Sequence, residues 1–492
     1  MSAFGKLIDR VVLDFAPKAG VARMRARIAG NHLMNYDAAS KGRRTYGWKA
    51  PSTDGDAAAM ASRAQLRQLS RDMMRNRPYA LRAREVVVTN VVGTGIAFSV
   101  DHETQGTRDK IEAKLRAHLM SPAIDARGEY DLMEMQVVAM RAVFTDGEVL
   151  ARRRIRTGQY ARAIPLGFQV ELIEADYLDL SKVSNGANPV IEGVEYGPIG
   201  DVQAYWLYKE HPGSARLNTT TQSERVAWQD IIHLRRFDRP GQLRGVPWLA
   251  PVMLTMGELS DYQEAQILKQ RMAALLAGVI TNDDAQGQNP GNSTKGLEDL
   301  EPGALVSAPA GSTVTFTTPP RVDGYGEFMR EGLGAIAMGI GITRESLTGD
   351  LSGVNFSSGR MGRMEMDRNV EGWQEHLMIG QFCRGIGRWI ADAWKLVSEP
   401  DLAREIFTMD WTAPRRPLID PNDEIDAEIK AIDAAIKSRQ GVQRKLGVDP
   451  DRVRRERADD AQKDADAKLV TAAVNPPKTA VETRKAKAAT PA

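Results

Sequence analysis

The longest regular pattern in the chain is an apolar stripe at helical spacing between residues 250 and 280. Its members recur every three or four residues and are Met256, Leu259, Tyr262, Ala265, Leu268, Met272, Leu275 and Val279. Charged residues such as Glu258, Glu264 and Lys269 occupy other faces. This spacing predicts one long amphipathic helix, and a stripe of this length is typical of a helix that packs against other helices.

A different pattern fills residues 86–245, where short β-branched and aromatic runs are separated by Gly, Pro and Asn. The runs are EVVVTNVVGTGIAFSV, VELIEADYLDL, NPVIEGVEYG, DVQAYWLY and DIIHLRRF. Such runs predict strands and hairpins, with Gly93 and Gly95 marking a turn or bulge between strands. A helical stretch over 108–142 is inserted among them, so we predict an α+β domain for this part of the chain.

The pattern becomes helical again after a polar insert. Residues 281–325 contain the polar run TNDDAQGQNPGNSTKG and a short β-like segment, and a second helix is predicted over 326–341. The run GLGAIAMGIGI at 332–342 overlaps that helix, where its glycines indicate close helix packing or local unwinding rather than a dinucleotide site. A small, polar, glycine-bearing loop at 342–358 then leads to a third helix over 359–397.

Both ends of the chain differ from this middle part. Residues 1–56 begin with a predicted helix and continue as an extended arm rich in turn-forming residues. A helix is predicted over 57–83, kinked or interrupted by Pro78. At the other end, an isoleucine stripe predicts a charged helical region over 422–470, and the composition of 471–492 predicts disorder.

Composition places the chain among ordinary globular proteins. Its 492 residues are 42% hydrophobic and 26% charged, and this length predicts about two to four domains. The single cysteine, Cys383, excludes an intramolecular disulfide framework. We expect no signal peptide and no membrane association, because no apolar run approaches the roughly 20 residues of a transmembrane helix.

Charge is balanced over the whole chain but not along it. The net charge is +2, yet residues 1–85 carry 17 Lys and Arg against 7 Asp and Glu. This excess fits either solvated, salt-bridged helix faces or a surface that meets nucleic acid or an acidic partner.

Residue patterns that carry catalysis are almost absent. The sequence has no Gly-x-x-x-x-Gly-Lys-Ser/Thr phosphate loop and no Gly-x-Ser-x-Gly elbow, and its six histidines show no metal-ligand spacing. One acidic cluster around a predicted strand could hold Mg²⁺: Glu171, Glu174, Asp176 and Asp179. These acids also fit a strand edge followed by a turn. We therefore predict no catalytic residue, no metal and no cofactor, and keep a Mg²⁺-dependent nucleic-acid-processing enzyme as the alternative.

Several stretches together point to one family. They are NYDAASKGRRTYGW, RDMMRNRPYALRAREVVVTNVVGTGI, IIHLRRFDRPGQLRGVPWLAPVM, LEPGALV, SLTGDLSGVNFSSGRM and IDPNDEIDAEIKAIDAAIKSRQGVQRKLGVDPDRV. In their order and spacing, over residues 30–465, the chain resembles the portal proteins of tailed bacteriophages of the lambda type. The resemblance implies a ring-forming subunit with an α+β portal-type fold that has a strand-rich wing, a two-helix stem, a small α/β clip and a helical crown.

The resemblance also assigns a region of that fold to each predicted segment. In chain order it implies an N-terminal helix and arm at 1–56, a wing at 57–249, a first stem helix at 250–280, a clip at 281–325, a second stem helix at 326–341, a tunnel loop at 342–358, a wing return helix and strand at 359–421, a crown-like helical region at 422–470 and a disordered tail at 471–492. A portal subunit needs this order of helix, insert, helix, loop and helix, whereas an enzyme core does not.

In the family, the loop after the second stem helix lines the narrowest part of a DNA channel. By position, the resemblance implies that the channel residues are Asp350, Leu351, Ser352, Gly353, Val354, Asn355, Phe356, Ser357 and Ser358. Small and hydroxyl-bearing residues contact phosphates weakly and read no sequence, which suits a moving duplex. Arg360 and Arg363 are candidates either for a loose basic sleeve around DNA or for salt bridges to neighbouring subunits.

The partners implied by the resemblance are those of a portal. We expect a dodecameric ring of identical subunits, double-stranded DNA bound without sequence preference, the terminase large subunit, the head–tail adaptor, and the major capsid and scaffolding proteins. The expected location is the portal vertex of the virion, after assembly in the host cytoplasm, with DNA entering during packaging and leaving during ejection. A bacterial scaffold protein with no DNA role is a further alternative.

Overall fold

The computed structural model describes residues 52–162, 164–215, 222–275, 279–282, 312–315, 324–396, 399–414, 420–448 and 450–467, and the isolated positions 18, 43, 46 and 47. The chain splits into two compact units, Met1–Ala58 and Ala59–Ala492. The predicted N-terminal helix, most of the insert at 281–325 and the predicted tail at 471–492 lie outside the described residues. Among the helices that are described, none is long and apolar enough to cross a membrane.

Three helices open the described chain: α1 (Gly55–Met60), α2 (Arg63–Asn76) and α3 (Pro78–Val91). Pro78 is the first residue of α3, where a missing N–H costs nothing, so the predicted interruption at this proline is confirmed.

The predicted strand at EVVVTNVV is wrong, because α3 continues through Val91. Val86, Val87, Val88 and Val91 are all buried, so this helix is apolar around most of its circumference at this end. A short β-branched run of that kind resembles a buried strand in sequence, and tertiary packing overrides the local preference. Gly93 and Gly95 do form a turn, but it joins a helix to a strand.

A strand and two helices follow: β1 (Ala97–Asp101), α4 (Gln105–Leu119) and α5 (Leu132–Asp146). The single helical stretch predicted over 108–142 is thus two helices, separated by an irregular segment that includes a 3₁₀ turn at Pro122–Ile124. A capping box between the Asp131 and Glu134 side chains and backbone begins α5.

The strand-rich part contains two antiparallel sheets. In the first, β2 (Glu148–Ile155) is the central strand, with β3 (Phe168–Ile173) on one side and β8 (Ile231–Arg235) on the other. A short helix, α6 (Gln159–Arg162), lies between β2 and β3.

The second sheet is a meander of β4 (Val190–Ile191), β5 (Val194–Tyr196), β6 (Val202–Tyr208) and β7 (Ser223–Ala227). This sheet packs against residues of the first sheet and of the segments that connect the two sheets. Together they form a small hydrophobic core that is separate from the main one. The buried members of this core are Leu150, Ile173, Leu178, Val194, Tyr196, Tyr205, Leu207, Val226 and Ile231. The runs predicted as strands at 188–197, 201–208 and 230–237 are confirmed, whereas the run VELIEADYLDL is a strand only as far as Ile173 and continues through a 3₁₀ turn at Ala175–Tyr177.

A fully buried carboxylate fixes the segment that follows β8. Glu148 accepts hydrogen bonds from the guanidinium of Arg244 at 2.6 and 2.9 Å, from His233 Nε2 at 2.8 Å and from the Gly245 N–H at 2.9 Å. Burial by itself would raise the pKa of Glu148, but the Arg244 charge and the His233 hydrogen bond hold it well below its usual range. Residues 244–245 are thereby bound to the start of β2, a few residues before the next helix begins.

That next helix is α7 (Met253–Leu275), and its partner after the insert is α8 (Tyr325–Ile340). At the start of the insert, β9 (Val279–Asn282) pairs antiparallel with β10 (Ser312–Thr315), which brings the first residues of the insert beside residues 312–315. Both predicted helices are confirmed, but the first ends at Leu275 and Val279, predicted on its apolar stripe, lies on β9.

A short helix, α9 (Arg344–Thr348), precedes one long continuous helical rod. The rod consists of α10 (Phe356–Gly372), a π-helical segment (Trp373–Cys383) and α11 (Arg384–Trp394). The main hydrophobic core includes buried residues of α3, α5, α7 and α8 and of this rod.

The chain ends in short helices around one returning strand. After α12 (Pro400–Ala403), β11 (Thr408–Thr412) pairs antiparallel with β1 and places Trp411 opposite Phe98. Three charged helices follow: α13 (Pro421–Asp433), α14 (Arg439–Lys445) and α15 (Pro450–Asp466). Helical structure predicted for 422–470 is therefore confirmed over its described residues.

Candidate functional site

The helices α7 and α8 form an antiparallel pair and pack closely against each other. A Cβ added at Gly332 would lie 2.7 Å from Leu259 Cδ2, and one added at Gly339 would lie 2.5 Å from Val252 Cγ1. Only glycine permits this spacing without displacing the facing side chain. The prediction that the glycines at 332–342 serve helix packing is confirmed at these two positions.

Aromatic side chains continue the pair away from the core. The Tyr262 ring stacks on Tyr325 with centroids 5.7 Å apart and meets the Phe328 ring at 4.7 Å. Phe328 is nevertheless 54% exposed. The contact between the helices is therefore closely packed and apolar near the start of α7, and it becomes aromatic and partly open to solvent around Tyr262.

The apolar stripe of α7 is only half covered within one chain. Met256 and Leu259 are buried, but Leu268 on the same predicted stripe is 58% exposed and the adjacent Ile267 is 51% exposed. Among the described residues of α7, none beyond Leu259 is buried. The described part of the chain therefore presents an uncovered apolar surface at this end of the pair.

The loop after α8 is short and held by its own side chains. Asp350 Oδ1 accepts hydrogen bonds from the Ser352 N–H at 3.0 Å and the Ser352 hydroxyl at 2.6 Å. These hydrogen bonds lower the pKa of the Asp350 carboxyl. The backbone turns at Gly349 with φ of 73° before entering the loop.

The predicted loop boundary at 358 is wrong, because α10 begins at Phe356. The Asn355 side chain accepts a hydrogen bond from the Ser358 N–H at 2.8 Å, and Ser358 Oγ accepts one from the Asn355 N–H at 3.2 Å. This reciprocal cap fixes the start of the helix. The region predicted as a loop also includes α9, so Phe356, Ser357 and Ser358 stand on the first turn of α10 and the loop proper is 349–355.

Two large apolar side chains project from this part of the chain. Leu351 is 66% exposed and Phe356 is 63% exposed. Their exposure adds apolar side chains to the loop and to the first turn of α10, a segment that the sequence predicts to be small and polar.

The candidate basic residues lie along α10 at one side of a cleft. Arg360 and Arg363 line this cleft, which has a volume of about 1210 Å³ and separates α10 from the C-terminal helices. The opposite wall includes Ile425 and Glu428 of α13. Arg363 also lies 4.0 Å from Asp367, one turn further along its own helix.

The acids considered for a metal site all interact with protein side chains. Glu171 pairs with Arg154 at 2.6 Å, and Asp179 accepts hydrogen bonds from Ser223 at 2.6 Å and Tyr208 at 2.8 Å. They therefore do not join the other two acids in one site.

Glu174 and Asp176 do come together, and His211 lies beside them. The three side chains offer ligand atoms within 4.8 Å of one another. However, Arg71 Nη2 already lies 3.1 Å from Glu174 Oε2 and 2.7 Å from Asp176 Oδ2. A guanidinium therefore occupies the position between the carboxylates where a cation would bind.

The effects of these charges on each other's pKa values also fit an arginine in this cluster. Burial by itself would raise the pKa of Asp176, but Arg67 and Arg71 lower it. Burial would likewise lower the pKa of Arg71, but the hydrogen-bonded Asp146 and the nearby Asp176 raise it. A divalent ion would meet two guanidinium groups here, so these residues do not fit a magnesium centre.

Sequence comparison identifies the family. The model described as phage portal protein, lambda family, matches residues 41–374, a span that includes α7, α8, the loop at 349–355 and α10. The chain belongs to this family of phage portal proteins. It is therefore a structural portal protein rather than an enzyme, and the enzyme alternative is not favoured.

Two phage proteins are similar over most of the chain. The probable portal protein of Halomonas phage phiHAP-1 is 26% identical over 448 residues, covering 85% of this chain and 84% of that protein. The portal protein of Escherichia phage N15 is 21% identical over 460 residues, covering 82% and 85% respectively.

Among solved structures, a chain from the virion of a native gene transfer agent particle aligns with a TM-score of 0.46 and 13% identity. The alignment covers 80% of the portal chain described here and 99% of that chain.

Two features of this portal subunit were missed from sequence. Arg63, Arg67 and Arg71 recur at the i, i+4 spacing on α2 and bind acids at the end of α5 and in the strand-rich part, with Arg63 and Arg67 buried. The spacing was visible, but the partners lie 75 to 129 residues away and carry no local signal. The basic excess of residues 1–85 thus includes buried structural arginines. The second feature is the π-helical segment, for which we find no sequence pattern.

Proposed function

We propose that this portal protein assembles into a dodecameric ring around a channel through which double-stranded DNA enters and leaves a phage capsid. The uncovered apolar surface of the α7 and α8 pair is the observation that carries this proposal. Copies of the same chain around a rotation axis would cover it, and closed cyclic rings are a common solution for identical subunits.

The exposed side chains on this helix pair are large and apolar, as in surfaces that bind another protein. Ile267, Leu268, Phe328 and Met338 are between 51% and 80% exposed. Fully burying one such side chain stabilises an interface by about 1.5–3 kcal/mol. Repeated at every subunit contact, this burial favours a closed ring over isolated chains.

In the proposed ring, the loop after α8 faces the channel. The channel residues are those predicted from the sequence, Asp350 to Ser358, with the last three on the first turn of α10. Asp350 and the serine hydroxyls offer no fixed positive charge to phosphate. Leu351 and Phe356 would meet the duplex as apolar side chains, so the loop contacts DNA sterically and allows it to move.

Arg360 and Arg363 are proposed as a weak basic sleeve behind this loop. Each arginine contact to phosphate adds affinity that depends on salt, and two per subunit in a ring supply attraction without sequence preference. Their position on the cleft beside α13 is equally compatible with ion pairs to a neighbouring subunit.

The remaining partners are assigned by region. The insert at 281–325 would dock the terminase large subunit during packaging and the head–tail adaptor afterwards. The outer parts of the ring would contact the major capsid and scaffolding proteins at the portal vertex of the virion, after assembly in the host cytoplasm.

A packaging assay tests the channel assignment. Deleting Asp350–Val354 keeps the Asn355 cap of α10 and should leave rings intact while reducing the amount of DNA packaged or retained. Ile199→Ala, at an 89% exposed position in a turn of the second sheet, is the matched control and should package normally. Rings of the deletion variant that package and retain a full genome would refute the assignment of this loop.

A further inference from the structure

The cleft between α10 and the C-terminal helices has a strand along one side. Six consecutive residues line it there, from Met409 on β11 to Pro414 just beyond the strand. Consecutive residues of a strand point to opposite faces of a sheet, so a cleft that all of them line faces the edge of the strand. In the part of the chain that the structure describes, β11 pairs with β1 alone. The open edge of β11 therefore presents backbone hydrogen-bonding groups to the cleft.

The opposite wall of the cleft is the apolar face of a helix. Ile425, Ile429 and Ile432 of α13 follow one another at spacings of four and three residues, and all three line the cleft. Ile425 is 43% exposed and Ile429 is 49% exposed, and no residue of α13 is buried. Helices of this kind gain most of their stability from packing of the apolar face. The face is therefore incompletely covered by the described residues.

A groove between a strand edge and an apolar helix face suits an extended peptide. A peptide bound in this way adds a strand to the open edge: its main chain supplies hydrogen bonds, and alternate side chains enter apolar pockets. The cleft has a volume of about 1210 Å³, which accommodates a segment of several residues. The ligand that fits this groove is therefore a short extended segment with β-branched side chains.

The chain itself carries such a segment after α15. Residues 469–474 read LVTAAV, and Val470 and Val474 lie on the same side of an extended chain. The Asn-Pro-Pro that follows ends any strand at this point. Residues 468–492 lie outside the described part of the structure. Within them, LVTAAV is the longest run of apolar and β-branched residues.

Charge also matches this tail to the cleft. Residues 468–492 carry four Lys and one Arg against one Glu. The α13 wall is acidic, with five Asp and Glu against Lys430. The α10 wall contributes Arg360, Arg363 and Arg368. We therefore expect the lysines that flank the segment to lie on the α13 side of the cleft.

The segment begins far from the cleft of its own chain. Pro450, the first residue of α15, lines one small pocket together with Asp410 of β11, and the 17 residues of α15 span about 25 Å. No residue from Glu456 to Asp466 is buried. Leu469 follows Asp466 by three residues, which span about 10 Å when extended. This separation favours the cleft of another copy over the cleft of the same chain.

We infer that residues 469–474 of a second copy of this chain occupy the cleft as a strand added to β11, with Val470 and Val474 against the isoleucines of α13. A segment whose composition predicts disorder on its own becomes ordered when it binds in this way. That the second copy is the next subunit of a ring rests on the proposed function. The docking itself requires only two copies.

Cross-linking between two full-length variants tests the inference. One variant carries Asp410→Cys, at an exposed position on the cleft, and the other, with a different affinity tag, carries Ala473→Cys in the segment. Cys383 is buried, and burial raises the pKa of its thiol, so it does not compete. The variants are produced together and treated with a short thiol-specific cross-linker. The product with both tags should exceed that of the matched control, Ala488→Cys, by at least about tenfold, because docking raises the effective concentration of the segment.

Further substitutions in the same pair of variants test the mode of binding. Thr471→Pro and Ala472→Pro each remove one N–H, and the N–H groups of consecutive residues point to opposite sides of a strand. At least one of the two should therefore lower the yield to that of the control. Ile429→Lys should do the same, whereas Ile436→Lys, 76% exposed on the same helix and outside the cleft lining, should not.

Equal yields for Ala473→Cys and Ala488→Cys, or for Ile429→Lys and Ile436→Lys, overturn the inference. A full yield with both proline variants overturns it too, as does cross-linking confined to one chain when that chain carries both cysteines. The mass of the same samples separates this inference from the proposed function. Rings without the cross-link refute only the docking, whereas cross-linked pairs without rings support the docking and count against the ring.

Discussion

Trp373 packs against Trp248 with ring centroids 4.9 Å apart and an interplanar angle of 58°. Trp248 is 1% exposed and lies just before α7, and the same Trp373 ring faces Gly341 at the end of α8, where an added Cβ would be 3.3 Å from Cζ2. One aromatic side chain therefore contacts both the segment before α7 and the segment after α8. The direction in which this helix pair leaves the core is set at this contact.

Replacing Trp248 by alanine should lower the free energy of unfolding by about 3–5 kcal/mol, because it leaves a large cavity in the core. Trp228→Ala, at a 39% exposed position, is the control and should cost much less. Urea unfolding followed by circular dichroism measures both. Equal losses in the two variants would contradict the role of Trp248.

Close packing between α7 and α8 makes a second prediction. Gly332→Ala places a methyl group 2.7 Å from Leu259 Cδ2 and should destabilise the chain by about 1–3 kcal/mol. Gly334→Ala, two residues along the same helix with nothing within 4 Å, should be neutral or stabilise by up to about 1 kcal/mol. Thermal unfolding midpoints measured side by side give the sign of each change. A stabilising effect at Gly332 would mean that the helices are further apart than described.

Features of the fold that depend on neighbouring residues in the sequence could be predicted, because their sequence signal is local. The stripe through Met256 and Leu259 correctly predicted α7, and the turn residues between the strand runs correctly separated most strands. The valine run at 86–88 misled because a helix buried on most sides and a buried strand have the same apolar composition. The pattern Asn355 to Ser358 is a local capping signal that could have placed the start of α10.

Long-range contacts could not be predicted in the same way. The sequence shows Glu174 and Asp176 as a possible metal site, but the residue between them in space is Arg71, more than a hundred positions earlier. Trp248 and Trp373 are likewise 125 residues apart in sequence and adjacent in space. Only the fold brings such residues together. The position of Arg71, for example, changes Glu174 and Asp176 from a possible metal site into ion-pair partners.

Acid should destabilise the protein through a buried histidine. His118 is fully buried beside the Phe168 ring, neither ring nitrogen has a hydrogen-bond partner among the described residues, and burial lowers its pKa to about 4. Because the unfolded chain takes up this proton first, stability is full above pH 6.5 and falls as the pH drops towards 4. His233, whose pKa burial and Arg235 also lower to about 4, acts in the same direction.

The His118 contribution can be isolated by substitution. His118→Leu should reduce the loss of stability between pH 7 and pH 5 by about 2 kcal/mol, since the leucine takes up no proton. His376→Leu, at an exposed position, is the control and should leave the loss as it is in the unchanged chain. Urea unfolding at the two pH values provides the comparison. A loss that is the same in all three chains would rule out His118 as a source of acid sensitivity.

Divalent cations should have no effect on the acidic cluster, because the guanidinium of Arg71 already neutralises Glu174 and Asp176. The thermal unfolding midpoint should be the same with magnesium or manganese chloride and with EDTA. A midpoint raised by Mg²⁺, together with Mg²⁺-dependent DNA cleavage that disappears in Glu174→Ala, would restore the enzyme alternative.

The mass and shape of the purified full-length chain test the central claim most directly. Mass photometry and electron microscopy should reveal a dodecamer-sized ring with an open axial channel. Ile267→Lys combined with Leu268→Lys should break the ring, because it places charge on the uncovered surface of α7, whereas Ile199→Lys should not. A chain that stays monomeric or dimeric, even when it is produced together with its capsid and scaffolding proteins, would contradict the account.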